Sequence, residues 1–241
     1  TAGFTFTGGV NALAQAVFVP KESDPIETRV AASPDTVKKM AGLGLTVIVE
    51  KGAGHSSRIT DDAYAAAGAK IGSASDAKSA DVVLKVRRPN AAEIKSYKKG
   101  AAIIAAMDPY GQNDAVKAMA DAGLSAFAME FMPRITRAQV MDILSSQANL
   151  AGYQAVIDAS AEYDRAMPMM MTAAGTVAAA KVFVMGAGVA GLQAIATARR
   201  LGAVVTATDV RPAAKEQVAS LGAKFIAVED EEFKAAETAG G

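Results

Sequence analysis

The sequence has no cysteine, no tryptophan and a single histidine, His55. Without cysteine there are no disulfides, thiolate nucleophiles or Cys-ligated zinc, and an intracellular location is permitted without being proved. One histidine argues against a His-based metal cluster or a Ser-His-Asp triad. Neither charge is in excess: Lys+Arg and Asp+Glu are both 25, so no basic field points to nucleic acid. No uncharged apolar run reaches the length of a membrane span. The stretch from Val177 to Val184 is apolar but short, and Lys181 interrupts it. Residues 1–15 lack the basic start of a signal or transit peptide. They are expected to be disordered, or a short strand at most. The chain starts at Thr1 rather than Met, which fits a fragment or a processed form. Its 241 residues can bury a real core and suggest one large or two small domains.

What the sequence does contain is organised around Lys181 to Arg211. Lys181-Val182-Phe183-Val184-Met185 reads as a buried strand. Gly186-Ala187-Gly188-Val189-Ala190-Gly191 reads as a glycine-rich turn, Leu192 to Leu201 as an amphipathic helix, and Ala203 to Asp209 as a second strand ending in a carboxylate. In such a unit Gly186 allows the tight turn and Gly188 lets a pyrophosphate approach the backbone. Gly191 lets the helix pack close to the sheet, with its first N–H groups aimed at the phosphates. Asp209 follows at the distance of about 20 residues at which an acid accepts from the adenosine ribose 2′-OH. A lone GxGxxG is weak, and a plain βαβ unit is the competing reading. Strand, helix and acid together favour a dinucleotide site. Arg211 could accept a 2′-phosphate, but Asp209 would repel that phosphate, so the pattern favours NAD over NADP.

Upstream, strands and helices alternate. Ala16 to Pro20 reads as a strand. Ser33-Pro34-Asp35 is an N-cap, a Pro at the first helical position and an acid in the first turn, starting a helix to about Leu43. Thr46 to Glu50 is the next strand. Gly52-Ala53-Gly54 looks like a second nucleotide loop, but Ser57 stands where the third glycine belongs and no apolar helix follows. A structural turn is the better reading, with His55 a solvated loop residue. Thr60-Asp61-Asp62 caps a helix to about Gly68. Lys70-Ile71 is a short strand, Ser73 to Ser79 a short helix, and Asp81 to Val86 a strand. Arg87 and Arg88 at its end could hold an acid substrate or form a solvated edge. Ala91 to Lys99 and Asn113 to Ala122 are helices; Ala101 to Ala106 and Ser125 to Met129 are strands. The alternation implies a parallel sheet.

Residues 134–147 are dense in groups capable of bidentate hydrogen bonding, as in the clefts where dinucleotide enzymes place catalysis; an ordinary capped helix start is the alternative. Residues 148–167 read as a long helix with Leu150, Tyr153, Ile157 and Ala161 on one face. Pro168 breaks it, and Met169-Met170-Met171 reads as core filler rather than a cofactor box.

Three stretches carry a resemblance: Arg134 to Ser145, Pro168 to Gly175, and Gly186 to Ala196. Together they resemble the NAD(H)-binding domain I of proton-translocating nicotinamide nucleotide transhydrogenase. Pro20-Lys21-Glu22 and Arg29-Val30-Ala31 are more distantly similar to alanine dehydrogenase. That family would carry a Lys at Arg87 and a catalytic His after the strand near Ala106. Here the segment is Ala105-Ala106-Met107-Asp108-Pro109, with no such acid/base group.

The resemblance implies an α/β fold of two Rossmann-like parallel-sheet domains joined by a long helix, the second truncated at its C-terminus. Its parts would be an extension (1–15), a first α/β domain (16–133), a nicotinamide-orienting loop (134–147), a linking helix (148–167) and an NAD(H)-binding domain (168–241). It implies that Arg134, Asp142 and Ser145 hold the nicotinamide and carboxamide, and that Gln139 reaches toward NADP(H) on a partner domain. Gly186, Gly188, Val189, Gly191, Asp209, Val210, Arg211 and Gly241 would contact NAD(H), Gly241 within a closing loop that begins at Glu237. No metal is implied. The implied partners are the NADP(H)-binding domain III, the membrane domain II and a second copy of domain I, without nucleic acid or direct membrane insertion. The implied location is the cytoplasmic side of a bacterial inner membrane, or the matrix side of a mitochondrial one. An alanine-dehydrogenase-like enzyme and a non-catalytic NAD-binding module are the other two readings.

Overall fold

A computed structural model describes residues 15–133, 135–228 and 231–236. The expectations for residues 1–14, Arg134 and the segment from Glu237 to Gly241 lie outside the described residues. The chain divides into two compact units, 1–141 and 142–241.

In the first unit, chain order is β1 (Ala16–Val19), α1 (Pro34–Gly42), β2 (Thr46–Glu50), α2 (Asp61–Ala66), β3 (Lys70–Gly72), β4 (Val82–Arg87), α3 (Ala91–Ser96), β5 (Ala102–Ala106), α4 (Asn113–Asp121) and β6 (Ser125–Ala128). The sheet runs β3-β2-β1-β4-β5-β6 and every pair is parallel, the doubly wound order. Alternate residues of β1 feed two cores. Phe18 packs with Val83, Ile103, Ile94 and Met119; Val19 packs with Val47, Val49, Val37 and Tyr64. Helices thus cover both faces, and for that reason the strands read as apolar runs.

The helix starts follow the sequence. Ser33 accepts from the Thr36 N–H with Pro34 in the first turn, and Thr60 accepts from the Ala63 N–H. Asn90 and Glu93 form a reciprocal capping box, which satisfies otherwise orphaned N–H groups. The helix expected over Ser73 to Ser79 is a 3-10 turn, Ala74–Lys78, a form favoured in such short pieces. Gly52-Ala53-Gly54 is a turn. A Cβ on Gly54 would stand 2.7 Å from Tyr64 Cε2 and 2.8 Å from the Ile59 carbonyl oxygen, so that glycine serves packing. His55 is exposed.

The second unit holds α5 (Ile143–Glu162), β7 (Met170–Thr172), β8 (Gly175–Val177), β9 (Lys181–Met185), α6 (Val189–Arg200), β10 (Val204–Thr208), α7 (Ala214–Ser220), β11 (Lys224–Phe225) and α8 (Glu231–Ala235). Its sheet is parallel in the order β11-β10-β9, and β7 and β8 form an antiparallel hairpin. Among the described residues β9 pairs with β10 alone. Val156 of α5, Ile195 and Ala198 of α6, Val205 and Ala207 of β10 and Val218 of α7 share one core.

Two expectations are corrected in this unit. The helix placed at 148–167 is Ile143–Glu162. It starts early because Asp142 caps it, and it stops where Tyr163 turns extended (φ −86°, ψ 114°). On the apolar face of this helix Leu150 and Tyr153 are 59% and 47% exposed, whereas Gly152 and Val156 are buried. Close approach to α6 selects the smallest side chain rather than the most apolar. Met169, Met170 and Met171 are exposed around the β7–β8 hairpin rather than filling a core.

Candidate functional site

The glycine turn links β9 to α6. Gly186 has φ +95°, in the left-handed region open to glycine, and its N–H donates to the Thr208 carbonyl at 2.8 Å. Gly188 caps α6 with no side-chain hydrogen bond, so the cap supplies no acceptor to the orphan N–H groups of the first turn. A Cβ on Gly188 would find no atom within 4 Å. A Cβ on Gly191 would fall 1.8 Å from the Gly186 carbonyl oxygen; its bareness brings helix and turn together. The result is a helix N-terminus behind an open, side-chain-free approach, a geometry suited to a phosphate anion.

Asp209 follows β10 and turns back onto this loop. Its Oδ2 accepts from the Ala187 N–H at 2.6 Å, and its Oδ1 from the Arg211 N–H at 2.8 Å and Arg211 Nε at 3.1 Å. Burial raises the Asp209 pKa, but the Arg211 and Ala187 hydrogen bonds outweigh it and hold the carboxyl below its ordinary value. The acid therefore stays ionised and tied to the turn. Val210 is exposed beside it, and Val189, also exposed, opens α6. Ala187 was missed in the sequence because its contribution is a backbone N–H. Its position between two turn glycines is the signal that could have marked it.

Residues 135–147 are not one loop. Thr136–Met141 is a 3-10 turn in the first unit and leaves Gln139 exposed. Asp142 begins the second unit as the α5 cap, accepting from the Leu144 and Ser145 N–H groups at 2.9 and 3.0 Å. Ser145 Oγ donates to Asp142 Oδ2 at 2.7 Å. The structure brings Asp142 and Ser145 together, and the capped helix start is present.

In the first unit the chain order reverses between β1 and β4, the switch point at which α/β sheets hold ligands. A crevice of about 310 Å³ there is lined by Glu22, Asp24, Arg87, Arg88 and Asp108, among others. Its charges are largely spoken for. Buried Lys85 pairs with Glu93 at 2.9 Å and Glu22 at 3.2 Å. Arg87 shares Glu27 with Arg29, at 2.9 and 2.6 Å. Arg88 donates to the carbonyls of Met107 and Asp108. Neither arginine is a plain solvated edge, and Arg87 already has a carboxylate. Glu27 was missed; its spacing in Glu27-Thr28-Arg29 was the available signal. Among the described residues no group of three or more His, Cys, Asp or Glu could hold a metal ion, and no helix is long and apolar enough to cross a membrane.

A doubly wound sheet in one unit and a strand–glycine turn–helix–strand–acid unit in the other define a two-part Rossmann-like α/β protein. The family model for the N-terminal domain of alanine dehydrogenase/PNT matches residues 18–151, and that for the C-terminal domain matches residues 155–239. The chain belongs to the alanine dehydrogenase/PNT family. It is 59% identical over 232 residues to an NAD(P) transhydrogenase subunit alpha polypeptide of Rhodospirillum rubrum, covering 93% of this chain and 60% of that protein. It therefore spans less than two thirds of that relative. The crystal structure of transhydrogenase from Sinorhizobium meliloti is similar with a TM-score of 0.87 and 74% identity, over 88% of this chain and 64% of that one. An L-alanine dehydrogenase structure is similar with a TM-score of 0.76 and 25% identity, over 88% of this chain and 60% of that one.

Proposed function

We propose that this chain is the NAD(H)-binding component of a proton-translocating transhydrogenase. The observation that carries the reading is the open glycine turn at the α6 N-terminus with Asp209 hydrogen-bonded to it. Gly186, Gly188, Val189 and Gly191 would hold the pyrophosphate, and Asp209, Val210 and Arg211 the adenosine ribose. Arg134, Asp142 and Ser145 would orient the nicotinamide end, and Gln139 would meet the second nucleotide. Gly241 would join the closure over NAD(H). Bound NAD(H) supplies or accepts a hydride, exchanged directly with NADP(H) held by a domain III partner. The chain's residues then position and exclude water rather than exchange protons. The segment after β5 supports this over an amino-acid dehydrogenase, since Asp108 and Met107 stand where that chemistry wants a histidine. A membrane domain II, a second copy of this chain and a place on the cytoplasmic face of a bacterial inner membrane complete the reading; the 241 residues alone would be inactive.

The test uses the protein at the length of its Rhodospirillum relative, mixed with an NADP(H)-binding partner domain. Hydride should pass from NADH to NADP⁺ with no amino or keto acid present. Turnover of alanine with NAD, or NADH binding without exchange to any partner, would replace this reading with one of its rivals.

A further inference from the structure

Ser145, Asn149, Gly152 and Val156 recur every three or four residues along α5, the spacing of one helical face. That face meets α6. Val156 enters the core it shares with Ile195 and Ala198, and Gly152 lies against the Ala190 carbonyl. One turn nearer the start of α5, Asn149 Nδ2 donates to Gln193 Oε1 at 3.2 Å. Gln193 is itself held. Its Nε2 donates to Thr197 Oγ1 at 3.1 Å, and the Thr197 hydroxyl donates to the Gln193 carbonyl at 2.8 Å. Thr197 is buried. Asn149 is exposed, so water can satisfy its amide and burial does not demand the bond. What the bond adds is register. The contact at Gly152 limits how closely the helices approach but lets α5 slide and roll on α6. A directional bond one turn away opposes both motions, and Thr197 keeps the Gln193 end in one rotamer. Each helix of the pair bears on the nucleotide site: α5 begins at Asp142, with Ser145 bonded to it, and α6 begins at the glycine turn.

We propose that Asn149 and Gln193 are positioning residues for hydride transfer, setting the register between Asp142–Ser145 and the phosphate turn without touching the nucleotide. This rests on the transhydrogenase reading given above and adds two residues to it. A slip of α5 along α6 moves Asp142 and Ser145 while the glycine turn stays intact. The adenosine diphosphate end of NADH then binds as before, and the nicotinamide end is misplaced. A displacement of roughly 1 Å can cost about 10²-fold in rate. A bond that served stability alone would lower Tm and leave the rate untouched well below the unfolding transition.

The experiment uses the protein at the length of its Rhodospirillum relative, mixed with an NADP(H)-binding partner domain. Gln193→Met keeps the size of the side chain and removes both of its bonds, while the Thr197 hydroxyl keeps its backbone acceptor. Stopped-flow transfer from NADH to NADP⁺ should slow about tenfold, with 5′-ADP affinity by calorimetry within about twofold of wild type. Asn149→Ala should do the same. Asn149→Ala/Gln193→Met should be no slower than either single variant, because the same bond is lost only once. Asn149→Asp is the rescue: Gln193 can turn its amide and donate to the carboxylate, so the rate should stay within about twofold of wild type. A wild-type rate in Gln193→Met overturns the proposal. So do losses that multiply in the double variant, a loss of 5′-ADP affinity that matches the loss of rate, or an Asn149→Asp protein as slow as Asn149→Ala. If Gln193→Met does not fold by circular dichroism, Asn149→Ala, at an exposed position, decides on the same rate and affinity. A wild-type mixture that transfers no hydride overturns the transhydrogenase reading and this proposal with it; an active wild type with equally active variants overturns the proposal alone.

Discussion

The Cβ that Gly152 lacks would stand 2.0 Å from the carbonyl oxygen of Ala190. Backbone of α5 therefore rests directly on the first turn of α6, the turn that faces the candidate phosphate position. Gly152→Ala has no flexible neighbour to push aside. It should force the helices apart and destabilise the second unit by roughly 1–3 kcal/mol, despite the better helix propensity of alanine. Urea unfolding measures this, and an unchanged midpoint would contradict the packing.

Gly188 makes the opposite case. Open space surrounds its missing Cβ and its φ of −73° suits any residue. Gly188→Val should fold normally and lose NADH binding, because the new side chain occupies the phosphate approach. Calorimetry showing wild-type affinity would remove the turn from the site.

Gln139 carries an amide, which cannot shuttle protons at neutral pH but can bridge to a second nucleotide. Gln139→Asn, in the longer protein mixed with an NADP(H)-binding domain, should slow hydride transfer at least about tenfold, since a misplacement of roughly 1 Å can cost about 10²-fold. Stopped-flow measurement with an NAD analogue reads the rate. A wild-type rate, or a loss accounted for by weaker NADH binding, would count against the bridge.

Glu27 supplies a pH signature. The Arg29 guanidinium lowers its pKa, burial opposes, and the Arg29 N–H and Arg87 lower it further, to about 2 from 4.5. The folded value lies below the unfolded one, so the stabilisation is complete above about pH 4.5 and is lost as pH falls toward 2. Glu27→Gln should flatten the decline in Tm over that window. Parallel Tm–pH curves for the two proteins would show that the pairing with Arg29 and Arg87 is energetically silent.

The legible parts of the sequence were those where one residue type has one local use. Ser33, Thr60 and Asn90 announce helix starts, and the apolar runs of β1, β2, β4 and β5 announce strands buried on both faces. Gly186, Gly188 and Gly191 announced a turn whose distinct demands the geometry matches. In α5 the signal failed, because alanine-rich sequence presents apolar groups all round and a glycine chose the contact. Met169 to Met171 failed for a related reason: apolar character does not specify which side chains a hairpin leaves outside. Asp142 was ambiguous in principle, since capping a helix and holding a ligand call on the same carboxylate. Arg87 and Arg88 were ambiguous because their partners, Glu27 and the carbonyls of Met107 and Asp108, come from other loops.

Among the described residues β9 is paired on one side only, and this has a kinetic consequence. In a parallel strand the N–H and C=O of one residue point to the same side, and the bonds from Val204 to Ala180 and from Gly186 to Thr208 turn Val182 and Val184 toward β10. Lys181, Phe183 and Met185 then present their amides to the open side. Within five residues, the strand that carries the glycine turn should show two populations of amide protons, slowly and rapidly exchanging, in strict alternation. Deuterium uptake along β9 thus becomes a residue-by-residue clock for that edge, and any strand that pairs there will slow only the fast set.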